Sequence, residues 1–295
     1  MASGEVAATG ASFGGVVSSP AVPELPEVET IRLSLEAALV GRRVVAVEAR
    51  RIKLREGIDP RRWRQRVAGA RLAALDRRGK YLVARFDTAD VLFHLGMSGR
   101  LVLCQPDQPR PRHTHLVLLF DGQIELRLVD PRRFGVAVVL EPGGARRHAS
   151  LAALGPDPRA VEARNALRER AAASRVAIRN LLLDQSVLAG LGNIYATEAL
   201  FRAGIHPMRA ANRISAARLD KLSVAIRDVL EDALAAGGTT LSDGGFVDAD
   251  GEGGYFAVAL AVYGRNGLPC VRCGRTIARH DGGGRSAYYC PGCQR

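Results

Sequence analysis

Lysine is nearly missing from this 295-residue chain. Only Lys53, Lys80 and Lys221 of its 42 basic residues are lysines, so chemistry that needs a titratable side-chain amine has few places to go. The bias toward arginine, with the abundance of Ala and Gly, points to a GC-rich coding sequence. Long apolar runs are also missing; none approaches the roughly 20 residues that cross a bilayer, so no membrane partner is expected. Cysteine is confined to Cys104 and four positions within the last 26 residues, a usage that fits a reducing compartment, here the cytoplasm. Residues 1–22, MASGEVAATGASFGGVVSSPAV, lack both the basic and the apolar segment of a secretory signal and are expected to be disordered or untranslated.

What the chain does have is positive charge and enough apolar residues for sizeable cores. The formal net charge is +12 and 47% of residues are hydrophobic, which at this length predicts two domains and favours a polyanionic partner, nucleic acid first.

Pro23 and Glu24, opening the stretch PELPEVET, are the pair around which the chemistry is organised. A proline at a chain terminus is a secondary amine that can attack a sugar C1′ and form a charged iminium; an amide nitrogen cannot. An α-amino group has a pKa of about 8, against about 10.4 for lysine, so far more of it is unprotonated near neutrality. The chemistry therefore predicts that the functional chain begins at Pro23, with Val22 at the position of the initiator, since GTG encodes valine and also starts translation. The bland alternative is that Pro23 and Pro26 only punctuate a turn before a helix.

Val28, Ile31, Leu35 and Leu39 follow at helical spacing and predict one amphipathic helix ended near Gly41, carrying Glu27 and Glu29. From Val44 to Leu140 eight short apolar or alternating runs, separated by Gly, Pro and Asp, predict a β-sandwich. Its connections hold unusual residues: Lys80 in RRGKYL, Met97 in HLGMSGR, His113 and His115 in RHTH, and Arg132, Arg133 and Phe134 in DPRRFG. Taken singly, each is more simply structural. Beyond Pro142 the pattern is helical, over 159–173, then in two helices joined through Gly190 and Gly192, then over 215–236 with Leu219, Leu222, Ile226, Leu230 and Leu234 facing inward. The glycines before Asn193 suit a helix N-terminus able to hold a phosphate. A polar Gly- and Asp-rich segment follows, of the kind that forms lids or stays disordered.

Cys270, Cys273, Cys290 and Cys293 form two C-x-x-C pairs separated by 16 residues, the spacing of a closed tetrahedral structural zinc site; two disulfides are the alternative. Arg272, Arg275, Arg279 and Arg285 decorate that hairpin and would meet phosphate.

PELPEVET, RRGKY, HLGMSGR, DPRRFG, GLGNIYA, GIHP, GGTTL, GYF, VYGR and the four-cysteine hairpin occur in this order, and with them the chain from Pro23 to Arg295 resembles the formamidopyrimidine-DNA glycosylase family. The resemblance implies an α+β fold, with an N-terminal β-sandwich domain over 23–150, a helical helix-two-turn-helix domain over 151–264 that includes a lesion loop at 239–256, and a zinc finger over 265–295. It implies a bifunctional glycosylase and abasic-site lyase that excises oxidised purines such as 8-oxoguanine and formamidopyrimidines, with one structural Zn2+, double-stranded DNA as partner and a monomeric state. Under it, Pro23 is the Schiff-base nucleophile, Glu24 the acid at the sugar ring oxygen, Lys80 a proton-transfer group in β-elimination and Arg285 a δ-elimination and phosphate group. Met97, Arg132 and Phe134 match the trio that fills the gap left by a flipped nucleotide. His113, Arg132, Arg175 and Asn193 match contacts to the DNA backbone. Two other functions compete: an endonuclease VIII-type enzyme for oxidised pyrimidines, whose opening usually reads PEGPE, and a non-catalytic DNA-binding zinc protein if residues 1–22 are retained. The extension before Pro23 and the segment SDGGFVDADGEGG depart from the family pattern.

Overall fold

The computed structural model describes residues 22–239, 259–282 and 285–295. The expectations for the leader and for the lesion loop therefore fall outside the described residues, except at Val22 and Thr239. Helix α1 (Leu25–Leu39) starts with Pro26 in its first turn, where the missing N–H costs nothing. Val28, Ile31, Leu35 and Leu39 line its buried face, and Gly41 at φ +87° turns the chain out of it.

All eight apolar runs are strands. Two antiparallel four-stranded sheets pack face to face, in the orders β1-β8-β9-β7 and β10-β6-β5-β4. Their ranges are β1 (Val44–Ala49), β4 (Leu72–Arg78), β5 (Tyr81–Phe86), β6 (Asp90–His94), β7 (Arg100–Cys104), β8 (Thr114–Phe120), β9 (Ile124–Val129) and β10 (Val136–Leu140). Period-two alternation sets the register: Leu116, Leu118 and Phe120 of β8 and Leu126 and Leu128 of β9 point into one core with Leu82, Ala84 and Phe86 of β5. A two-residue ladder, β2 (Ile52–Lys53) with β3 (Gly57–Ile58), and helix α2 (Pro60–Val67) are additions that periodicity did not reveal. Asp59 caps α2 through the Arg61 amide at 3.0 Å, and Trp63 and Val67 plug the same core.

A second core belongs to helices α4 (Ala163–Ala172), α5 (Ile178–Leu183), α6 (Asn193–Arg202) and α7 (Ala216–Ala235), with α3 (Ala149–Ala152) between the two parts. Helix α4 starts at Ala163 rather than 159, because the Asp157 carboxylate holds the Arg159 amide in a turn at 2.9 Å. In α7, Leu219, Leu222, Ile226 and Leu230 are buried and Leu234 is partly so. Helix α1 joins the two cores: Leu25 lies in the helical one and the rest of its apolar face in the sandwich. Its N-terminal end, with Pro23 and Glu24, is thereby fixed at the seam. The third core, including Phe201, Val262, Ile277 and Tyr288, docks the hairpin β11 (Ala278–Gly282) and β12 (Arg285–Tyr289) against α6.

Candidate active site

Glu24, 3% exposed, aims its carboxylate at the N-terminus of α6. Oε2 accepts the Gly192 amide at 2.8 Å and Oε1 the Ile194 amide at 2.9 Å, with the Tyr195 amide at 3.5 Å. The helix end expected to hold a phosphate thus holds a carboxylate of the chain itself, for the same reason: unpaired N–H groups and the positive end of the helix dipole favour an anion. The approach requires glycine, since a Cβ on Gly192 would lie 2.3 Å from Glu24 Cδ. Burial pushes the Glu24 pKa up to about 7; Lys80 and the amides pull against it, and the neighbouring charge of Glu27 adds to it. Pro23 is buried beside it.

Glu27 is the second buried carboxylate. It accepts the Glu24 amide at 2.8 Å, the Tyr195 hydroxyl, and the Thr239 amide at 2.9 Å, and burial raises its pKa. One turn beyond Tyr195 on α6, Glu198 accepts the amides of Ala261, Val262 and Tyr263 at 2.8–3.0 Å. Tyr195 and Glu198 therefore tie the chain on both sides of 240–258 to the helix that receives Glu24. Neither role was visible in sequence, where Tyr195 stood only within the GLGNIYA motif and Glu198 was not singled out.

Lys80 follows Gly79, whose carbonyl accepts from Arg77 at 3.0 Å; Arg77 itself is locked by Glu29 at 2.6 Å and Asp157 at 2.7 Å. Burial lowers the Lys80 pKa; Glu24 opposes that shift and the Arg285 charge reinforces it. Lys80 thus feels Glu24, Glu27 and Arg285 at once. His94, its ring tilted against Tyr81 with centroids 4.6 Å apart, accepts the Gly96 amide at 3.0 Å, and burial with the Arg55 and Lys80 charges drops its pKa to about 3, so it is neutral.

The loops that carry Met97, Arg132, Phe134 and His113 are joined through Asp130, which is fully buried. Asp130 accepts the Ser98 hydroxyl at 2.6 Å and the Gly135 amide at 2.8 Å; Ser98 Oγ accepts the Arg132 amide at 3.2 Å, and the Asp130 amide donates to the His113 carbonyl at 3.1 Å. Phe134 is 44% exposed with the Arg132 guanidinium 4.9 Å from its ring centroid.

Asn193 holds the hairpin: its amide nitrogen donates to the Ser286 carbonyl at 3.0 Å, and its oxygen accepts from Arg179 Nε at 3.0 Å. Arg179, 2% exposed, also donates to the carbonyls of Arg285 at 2.9 Å and Ser286 at 3.2 Å, while Arg285 itself is exposed. Burial, reinforced by Arg285, lowers the Arg179 pKa. Arg175 is exposed and stands four residues before this junction; the basic side chain that the fold brings to Asn193 and Arg285 is Arg179, which the sequence reading passed over.

The sulfur atoms of Cys270, Cys273, Cys290 and Cys293 all lie within 4.8 Å of one another, and none of the four is in a disulfide. Two of the separations are 3.9 and 3.4 Å. A tetrahedron of Zn–S bonds of about 2.3 Å has edges of about 3.8 Å, so four thiolates here fit one structural zinc. The Arg272 amide points at Cys270 Sγ, 3.4 Å away, which fixes that ligand.

Three stretches match known domains: the formamidopyrimidine-DNA glycosylase N-terminal domain over 22–137, its H2TH domain over 154–244, and the zinc finger found in FPG and IleRS over 267–295. The formamidopyrimidine-DNA glycosylase of Syntrophotalea carbinolica is 46% identical over 275 residues, 93% of this chain and 100% of that protein. The chain belongs to the formamidopyrimidine-DNA glycosylase family. The enzyme of Halorhodospira halophila is 48% identical over 276 residues, again across its whole length and 93% of this chain. Among solved structures, MutM (Fpg) of Thermus thermophilus superimposes with a TM-score of 0.83 at 38% identity, covering 92% of this chain and 98% of that one. Lactococcus lactis Fpg, solved with DNA containing an abasic site, gives 0.84 at 32% identity, covering 92% and 99%. The α+β fold with sandwich, helical part and zinc finger is that of the family.

Proposed function

We propose that this chain is a bifunctional DNA glycosylase and abasic-site lyase of base-excision repair, acting on oxidised purines. The observation that carries the reading is Glu24: a buried carboxylate with a pKa near 7, next to Pro23 and in the field of Lys80, on which Arg285 acts in turn. Formamidopyrimidine-DNA glycosylase relatives support it, as do Lactococcus lactis Fpg complexes with DNA containing Fapy-dG or an abasic site.

The Pro23 nitrogen attacks C1′, the glycosidic bond breaks, and the base departs with the bonding pair and takes a proton. Glu24, whose pKa burial raises to about 7 so that a large fraction keeps its proton near neutral pH, gives that proton to the ring oxygen as the C1′–O bond opens, leaving an iminium between Pro23 and C1′. Loss of a C2′ proton then expels the 3′ phosphate, with Lys80, whose own pKa burial lowers, as the proton-transfer group; Arg285 faces the phosphates in the second elimination. Met97, Arg132 and Phe134 fill the duplex where the nucleotide has left. His113, Arg132, Arg175 and Asn193 meet the backbone. The thiolates of Cys270, Cys273, Cys290 and Cys293 hold the zinc, which as a closed site supplies structure and no reaction step. We read the protein as a cytoplasmic monomer; among the described residues no helix is long and apolar enough to cross a membrane, and none of the five cysteines is in a disulfide.

The Pro23 nitrogen is an amide as long as Val22 precedes it, so the reaction requires a chain opening at Pro23. Borohydride reduction should trap that form on lesion-containing DNA, with the crosslink at Pro23, whereas protein carrying residues 1–22 should give no adduct until they are removed. Efficient trapping by leader-bearing protein, with the crosslink mapped to Lys80, would overturn the assignment.

A further inference from the structure

Among the largest fully buried side chains, Trp63 is followed by two arginines, Arg127 and Arg179. Arg127 is paired with Glu125 at 2.6 Å, whereas Arg179 has no carboxylate partner among the described residues. Its bonds end on neutral oxygens: Nε on the Asn193 amide oxygen at 3.0 Å, Nη1 on that of Asn180 at 3.4 Å, and Nη2 on the carbonyls of Arg285 at 2.9 Å and Ser286 at 3.2 Å. A guanidinium taken out of water without a counter-ion destabilises the fold, and an apolar side chain of similar volume would be the more stable filling. What the arginine supplies instead is a fork of donors at fixed angles.

The base of the fork is rigid. The Ile178 and Arg179 amides donate to the carbonyls of Arg209 at 2.8 Å and Pro207 at 3.2 Å, and Ala177 bridges to Ala210, so the first turn of α5 is stitched to 207–210. The other end of the fork is the tip of the zinc hairpin, where Arg285 opens β12 and pairs with Gly282 at the end of β11. That ribbon has no third strand, and Asn193 shares the Ser286 carbonyl with Arg179. Electrostatics work against the placement: the Arg285 charge lowers the pKa of both Lys80 and Arg179, which is repulsion between like charges. Bonds to its backbone hold Arg285 where those charges would push it away.

We infer that Arg179 is a positioning residue for the second elimination: by gripping the carbonyls of Arg285 and Ser286 it keeps the Arg285 guanidinium at the departing phosphate, and so sets how far the reaction runs beyond the first strand break. This rests on the role given to Arg285 in the proposed reaction. In that step C4′ loses a proton, the C4′–H pair becomes a C4′=C5′ double bond conjugated with the C2′=C3′ bond left by the first elimination, and the C5′–O bond breaks with its pair on the phosphate oxygen. A cation held in place at that oxygen stabilises the charge as it develops.

The test is the ratio of second- to first-elimination product from a preformed abasic site, measured on the zinc-loaded enzyme in single turnover at saturating enzyme, so that losses of duplex affinity cancel. Arg285→Gln should lower the ratio. Arg179→Met should lower it about tenfold to a hundredfold, the effect of displacing a reacting group by about an ångström. Arg179→Lys keeps the charge and one donor without the fork, and should fall between Arg179→Met and wild type. Adding Arg179→Met to Arg285→Gln should lower the ratio no further, because Arg179 acts through Arg285. Zinc content and circular dichroism report folding, and if Arg179→Met fails there, Arg179→Lys carries the test. A wild-type ratio in the folded variant, or a double variant that adds the whole effect of Arg179→Met to that of Arg285→Gln, would overturn the proposal and leave Arg179 a brace of the hairpin alone. A wild-type ratio in Arg285→Gln would instead remove Arg285 from the second elimination, and the proposal with it.

Discussion

Glu24 and Gly192 are fitted so closely that no residue with a side chain fits at 192. The Gly192 amide lies 2.8 Å from Glu24 Oε2, and a Cβ there would fall 2.4 Å from Oε1 and 2.3 Å from Cδ. Gly192→Ala should therefore displace the carboxylate by about an ångström, which costs reacting groups on the order of a hundredfold in rate. Single-turnover excision should fall by that much while affinity for an abasic-analogue duplex and the circular dichroism stay close to wild type. Wild-type excision by this variant would show that the position of Glu24 does not matter to the chemistry.

The burial that suits Glu24 to proton donation also makes it a cost to the fold. Its pKa rises from 4.5 unfolded to about 7 folded, so between those values the native state binds the extra proton. The stability from this protonated carboxyl is fully present below pH 4.5 and is lost as pH rises through about 7, a loss on the order of 3 kcal/mol. Glu24→Gln removes the proton but not the shape. Urea denaturation across pH 4.5 to 8 should show a shallower decline for the variant than for wild type, with a residual slope from Glu27, whose pKa shifts in the same direction. Parallel profiles would mean that Glu24 titrates normally.

The sandwich was legible because its strands are short apolar or alternating runs bounded by Gly, Pro and Asp, so each run announces itself. Helix α2 was not: PRRWRQRV offers only Trp63 and Val67 as buried residues, too few to set a period among four arginines. The zinc site was legible from spacing alone, since two C-x-x-C pairs carry their own geometry. Glu27, Tyr195 and Glu198 were not, because a buried polar residue reveals its role only through partners brought from elsewhere, here from Thr239 and from 261–263. Arg179 escaped for the same reason: nothing within IRNLLL says that its guanidinium ends on the carbonyls of a strand more than 100 residues away.

Metal removal should separate the hairpin from the sandwich. The hairpin is fastened to the helical core by Arg179, Asn193 and a small apolar cluster, and the four sulfurs set its shape. Chelation should abolish duplex binding, because Arg285 loses its placement, while amide protection in β5, β6 and β8 persists. Full duplex binding by demonstrably zinc-free protein would remove the metal from DNA recognition.

Asp130 braces the loops that carry Met97, Arg132 and Phe134, and its removal should mimic theirs. Asp130→Asn keeps the volume but replaces one acceptor oxygen with an NH2 group, which must oppose either the Ser98 hydroxyl or the Gly135 amide in a site with no exposure. That loss should cost about 1–3 kcal/mol locally and let the two loops separate. Excision from a lesion duplex requires the base to be extruded and its place filled, whereas elimination at a preformed abasic site requires less of both. Met97→Ala, Phe134→Ala and Asp130→Asn should all lower excision more than abasic-site cleavage. Adding Phe134→Ala to Asp130→Asn should lower excision by less than the product of the single effects, because both act through one loop. Equal losses on the two substrates, or strict additivity between Asp130 and Phe134, would mean that Asp130 stabilises the sandwich without positioning the side chains that enter the duplex.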